Sequence, residues 1–114
     1  MSTIIKTATI VAGSSMTDAI LLNDLTIVGI STGSTIANNT LTMLVSIDGT
    51  TYTPLYNTNG EYTITAMTGS AISYNLTATP IQFNYIKFRL GTSGSSINQV
   101  GSPLNISMIT KRTE

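Results

Sequence analysis

Leu41-Thr42-Met43-Leu44-Val45-Ser46-Ile47-Asp48-Gly49-Thr50-Thr51-Tyr52-Thr53-Pro54-Leu55 decides the fold class. Leu41, Met43, Val45 and Ile47 alternate with Thr42, Leu44 and Ser46, the two-residue period of a strand with one face in a core. Asp48-Gly49 then reads as a hairpin turn. A two-residue loop would set Pro54 opposite Met43 at a hydrogen-bonded pair, where proline has no N–H to give. A type I turn with Gly49 in a left-handed bulge shifts the pairing and removes the conflict, so the bulged hairpin is expected.

The same period recurs along the chain. Ile86, Phe88 and Leu90 point one way between Tyr85 and Leu90, while Tyr85, Lys87 and Arg89 point the other. Leu104, Ile106 and Met108 alternate with Asn105 and Ser107. Leu25 to Ile30 is apolar on both faces and reads as a central, covered strand. Thr7–Ala12, Ala19–Leu22, Thr51–Tyr56, Tyr62–Ala66 and Ile72–Leu76 carry weaker strand patterns, and Asn57 to Gly60 a second turn. Helix formers are scarce and β-branched residues abundant. The expectation is an all-β chain: a β-sandwich, a jelly roll of about eight antiparallel strands, in one domain over residues 1–114. Residues 1–6 are expected to form a free N-terminal arm and 111–114 a free tail.

Composition limits the chemistry. The 114 residues include no His, Cys or Trp, and only 9% are charged. Thr and Ser make up roughly three residues in ten. Without His or Cys the usual general bases and thiol nucleophiles are missing, so no catalytic residues are assigned and the chain is expected not to be an enzyme. Asp18, Asn23 and Asp24 offer oxygens to calcium, but the dense acidic spacing of a calcium loop is absent, so no metal and no cofactor is assigned. Asp48 reads as turn chemistry, its carboxylate bonding nearby backbone. The formal net charge is zero. Lys6, Lys87, Arg89, Lys111 and Arg112 are too few for a nucleic-acid footprint. No stretch has the length of a membrane helix, and Met1 to Lys6 lacks a signal-peptide pattern.

What remains is binding. Low charge with many hydroxyls suits wide contact with a protein partner, because Thr and Ser desolvate more cheaply than Lys or Glu. Two long polar segments, 31–40 and 91–103, strand Ile36 in the first, beside Asn38, and Ile97 and Val100 in the second. Such loops are often functional. Tyr85, Lys87 and Arg89 on one strand face form a third candidate, since Tyr and Arg anchor interfaces. The candidate interface residues are therefore Ile36, Asn38, Tyr85, Lys87, Arg89, Ile97 and Val100, with Asp48, Gly49 and Pro54 structural. Carbohydrate is a weaker alternative: Tyr52, Tyr56, Tyr62, Tyr74 and Tyr85 are available as sugar platforms, but core or edge packing is their commoner use.

The stretch Ser46 to Leu55 resembles the hairpin of discoidin-like, galactose-binding-type jelly rolls, and Tyr85-Ile86-Lys87-Phe88-Arg89 resembles a later strand of that fold. Asn84 stands where that fold usually has Arg, and Tyr52 where it usually has Trp. A wider resemblance, over roughly residues 7–110, is to small tailed-phage virion proteins. Ala8 to Gly13, Asp18 to Ile20, Leu25 to Ile30, the Asp48-Gly49 hairpin, Tyr85 to Lys87, Arg89 to Gly94 and Val100 to Ile109 carry it. Some proteins of that kind are jelly-roll cement or decoration proteins on the capsids of short-tailed phages. The resemblance implies a many-copy virion protein that binds the major capsid protein, sits on the capsid as a homo-oligomer and has no catalytic residues. The alternatives are a carbohydrate-binding module on a phage tail or fibre, and a head–tail or tail component.

Overall fold

The computed structural model describes residues 3–23, 25–32, 40–57, 60–65, 73–75, 83–101 and 103–112. In chain order the strands are β1 (Thr3–Ile10), β2 (Ile20–Leu21), β3 (Leu25–Thr32), β4 (Thr40–Ser46), β5 (Thr53–Pro54), β6 (Tyr56–Asn57), β7 (Gly60–Glu61), β8 (Ile64–Thr65), β9 (Ser73–Asn75), β10 (Tyr85–Thr92), β11 (Ser95–Ser96) and β12 (Leu104–Arg112). One sheet has the order β1-β12-β3-β9. The second runs β11-β10-β4-β5, with β2 also on β10 and β8 on β4. β6 and β7 form a separate hairpin. All the pairings are antiparallel.

The period-two pattern explains why the sheets face each other. Ile10, Ile27, Ile30, Leu104, Ile106 and Met108 of the first sheet are buried in one cluster with Leu41, Met43, Val45, Ile86, Phe88 and Leu90 of the second. Each such side chain contributes about 1.5–3 kcal/mol by leaving water. The chain is an all-β sandwich. Its main strands pass back and forth between the sheets: β1, β3, β9 and β12 lie in one, and β2, β4 and β10 in the other. That alternation is jelly-roll winding. The strand segments outnumber the eight expected because several are two-residue pieces.

β3 is the covered strand its composition predicts, seated between β12 and β9. β10 is central too. β4 pairs with it from Tyr85 to Leu90 on one side. On the other side lie β2 and a bridge from Met16 to Arg89. Thr17 N also donates to the Phe88 carbonyl, and Leu90 N to the Ser15 carbonyl.

Several expectations change. Residues 1–6 are not a free arm: β1 begins at Thr3, which pairs with Lys111. The 111–114 tail is likewise shortened, because Lys111 and Arg112 end β12. The cause is the β-branched run Thr3-Ile4-Ile5, which continues the ladder, with Ile4 packed against the core. Ile47 does not join the buried face of β4; it lies beyond the strand end and is exposed. The 91–103 segment is only partly loop. β10 runs to Thr92 and turns back into β11. Gly91 enables this with φ +87°, where an added Cβ would lie 2.2 Å from the Ser95 carbonyl oxygen. Ile36 and Asn38 lie outside the described residues.

The hairpin register is the shifted one. Leu44 faces Pro54 and Val45 faces Thr53. Leu55 N donates to the Met43 carbonyl at 3.0 Å, so Pro54 sits where the ladder asks for no N–H. The loop is wider than a bulged turn, since the pairing closes at Val45 and Thr53 and residues 46–52 connect them.

Candidate interaction surface

Asp48 organises the loop after β4. Its Oδ1 accepts from Thr50 N at 2.9 Å, Thr51 N at 3.0 Å and the Ser46 hydroxyl at 3.0 Å. The Ser46 hydroxyl accepts in turn from Gly49 N at 2.8 Å. These donors favour the ionised carboxylate. The Thr51 N–H does most to hold its pKa below the ordinary 3.8, followed by the Thr50 N–H and the Ser46 hydroxyl. Gly49 adopts φ +81°, and the Tyr85 ring lies where its Cβ would be, 2.9 Å from that position at the nearest carbon. Asn84 Nδ2 donates to the Ile47 carbonyl at 3.0 Å. The two stretches that carried the discoidin-like resemblance thus pack on each other.

Tyr85, Lys87 and Arg89 share the outer face of β10, but all three are engaged inside the chain, and Arg89 is buried. Arg89 is 6% exposed. Its guanidinium pairs with Glu61, and its Nε donates to the Thr42 hydroxyl at 3.1 Å. That hydroxyl donates to the Gly91 carbonyl at 2.7 Å. The Glu61 Oε1 accepts from Ser93 N at 3.1 Å and from the Ser93 hydroxyl at 3.3 Å. Arg89 is therefore a latch between β10 and the β6–β7 hairpin rather than an interface cation. Lys87 Nζ stands 4.4 Å from the centre of the Tyr52 ring. Tyr85 is half-buried over Gly49. Sequence reasoning missed Glu61 as the partner. The alternation that placed Arg89 outward gave no sign that the 56–61 hairpin folds over that face.

Among the described residues the tyrosines do not form a row of free rings. Tyr62 is in the core, Tyr52 lies beneath Lys87, and Tyr85 is on Gly49. The side chain of Tyr74 lies outside the described residues. Tyr56 is exposed.

The outer face of the first sheet is the other surface. Thr7, Ser107 and Ser31 stand in register across β1, β12 and β3. In the next row Ile5, Ile109 and Gly29 do the same. Ile5 is 57% and Ile109 38% exposed. Thr9 donates to the Asn105 side-chain oxygen at 3.0 Å on the same face. Past the end of β1, Val11 and Val100 are exposed as well, the latter 70%. Gly13 N donates to the Gln99 carbonyl and Gln99 N to the Ser14 carbonyl, which lays the two segments side by side. Ile97 is partly exposed beside β10 of the second sheet, its N–H bonded to the Leu90 carbonyl. Of the predicted interface residues, the structure leaves Ile97 and Val100 open. Ile5 and Ile109 were missed, although the Thr3-x-Ile5-x-Thr7-x-Thr9 alternation carries the signal once residues 3–6 are read as strand.

Among the described residues no three His, Cys, Asp or Glu side chains gather in a metal-binding group. Among them, no helix is long and apolar enough to cross a membrane.

No protein-family model matches this chain. No curated protein matches it in sequence. Among solved structures it is similar to the SPBc2 prophage-derived protein YomS, at 8% identity and a TM-score of 0.50, over 97% of this chain and 96% of that one. A second similarity is to CBM32-1 from a family 31 glycoside hydrolase of Clostridium perfringens, at 15% identity and a TM-score of 0.40, over 96% of this chain and 77% of that one. The likeness to YomS is one of fold and extends over nearly the whole of both chains.

Proposed function

We propose that this chain is a structural protein of a phage virion, a cement or decoration protein that binds the assembled capsid shell and stabilises it. The observation that carries the reading is the outer face of the first sheet: a hydroxyl-bearing surface with Ile5 and Ile109 exposed side by side. Such a face fits a broad protein surface and loses little on desolvation. The fold shared with a prophage-derived protein supports the phage setting. The partner is the major capsid protein. Binding only to the assembled shell stabilises it by mass action, and many copies multiply a modest contact.

The rings of Tyr52 and Tyr85 packed against their own chain favour this reading over a carbohydrate platform. The test is a copy count in purified particles by quantitative mass spectrometry. A cement protein gives on the order of hundreds of copies, whereas a head–tail or tail component gives about six or twelve, as cyclic symmetry dictates. Absence from particles would end the proposal.

A further inference from the structure

We propose that the open edge of β1 is a dimerisation seam, which accepts β1 of a second copy across a two-fold axis at Thr7. β1 pairs along its whole length, Thr3 to Ile10, with β12 on one side. Among the described residues no strand pairs with its other edge. Alternate backbone N–H and C=O groups of eight residues therefore face outward along that edge, a template for another strand. The usual guards are sparse. β1 contains no proline, its register with β12 runs without a shift, and Lys6 is its one charge. β-branched Thr and Ile fill most of its positions, the composition that suits a paired strand.

Self-complementarity names a second copy as the occupant. A two-fold axis normal to the sheet pairs antiparallel strands and keeps each face on its own side, so partners must share parity. Centring the axis on Lys6 would set two ammonium groups opposite each other, which is destabilising. Centring it on Thr7 sets Thr7 against Thr7, Lys6 against Ala8, Ile5 against Thr9 and Ile4 against Ile10. That register uses seven of the eight residues, opposes no like charges, and extends the core-facing row through Ile4 and Ile10. The formal net charge of zero means two copies meet without overall repulsion. The four-stranded sheet becomes eight-stranded, and its hydroxyl face doubles. A two-fold seam is closed, so it yields a dimer rather than a fibre.

The inference goes beyond the capsid reading and does not depend on it. The experiment is sedimentation equilibrium of the full chain over a dilution series, with and without Thr7→Lys. Thr7 is exposed on the outer face, so the monomer fold tolerates the change. The expected mass is twice the 12.0 kDa of one chain, and Thr7→Lys weakens association at least tenfold. Because the chain has no cysteine, Thr7→Cys gives a single reporter at the axis. It crosslinks to itself with a short bifunctional maleimide, whereas Thr53→Cys, exposed on β5, does not. A 12.0 kDa species at every concentration, a dimer indifferent to Thr7→Lys, or equal crosslinking of the two cysteine variants would each overturn the seam. Dimer loss with shell binding intact, or the reverse, separates this inference from the proposed function.

Discussion

The guanidinium of Arg89 is paired with the carboxylate of Glu61, 28 residues earlier in the chain, and both side chains are nearly out of water. Thr42 and Ser93 complete the hydrogen bonds around them. A buried pair of this kind is costly to break from one side, because the survivor is left charged and unpaired. Arg89→Met or Glu61→Gln should each destabilise the protein by about 3–5 kcal/mol. Replacing both with apolar residues should cost much less than the two single changes added together. Urea denaturation of the four forms measures the coupling, and strict additivity would show that the latch does not act as a unit.

Gly49 is held twice, by its left-handed backbone and by the Tyr85 ring. Gly49→Ala meets both, and the predicted loss is about 1–3 kcal/mol. Pairing it with Tyr85→Ala removes the steric part and leaves the backbone part. A thermal melt of Gly49→Ala that matches wild type would contradict this turn geometry.

Asp48 predicts an acid sensitivity with a definite sign. Its folded pKa lies below the ordinary 3.8, chiefly because of the Thr51 N–H. A depressed carboxylate contributes stability that is present above the unfolded pKa and is lost as pH falls through the folded one. Asp48→Asn should therefore melt below wild type near neutrality, and the gap should narrow as pH falls below about 4. Melting curves from pH 7 to the acid limit test this; a gap that widens on acidification has the wrong sign.

The strands show how much was legible in the sequence. Alternation located β4, β10 and β12 because each has one apolar face against the core, and β3 because it is apolar on both. Pro54 exposed the register of the hairpin, since a missing N–H is tolerated at only one kind of pair. The site was less legible. A two-residue period tells which residues leave the core side, and nothing about what later folds over them. Arg89 and Tyr85 were placed outward correctly and then covered, by Glu61 in one case and Gly49 in the other. Ile5 was hidden by an arm boundary drawn at Lys6, where the strand in fact continues to Thr3.

The exposed apolar residues Ile109 and Val100 make a mutational prediction. Ile109→Lys and Val100→Lys change exposed side chains and should alter stability by less than about 1 kcal/mol. On the capsid reading, each should weaken binding to shells that lack the protein, and the pair together should abolish it. Lys87→Ala, on the opposite sheet, should leave binding unchanged. Co-sedimentation with purified shells measures all three, and normal binding by the double variant would move the contact elsewhere.

The proposed role is to hold an assembled shell together. Its most direct test is the survival of infectious particles, made with and without the protein, after heating and after osmotic shock. On the proposed role, particles lacking it lose their genome at a lower temperature and at milder shock, and adding purified protein restores resistance. Equal survival of the two particle types under both stresses would contradict it.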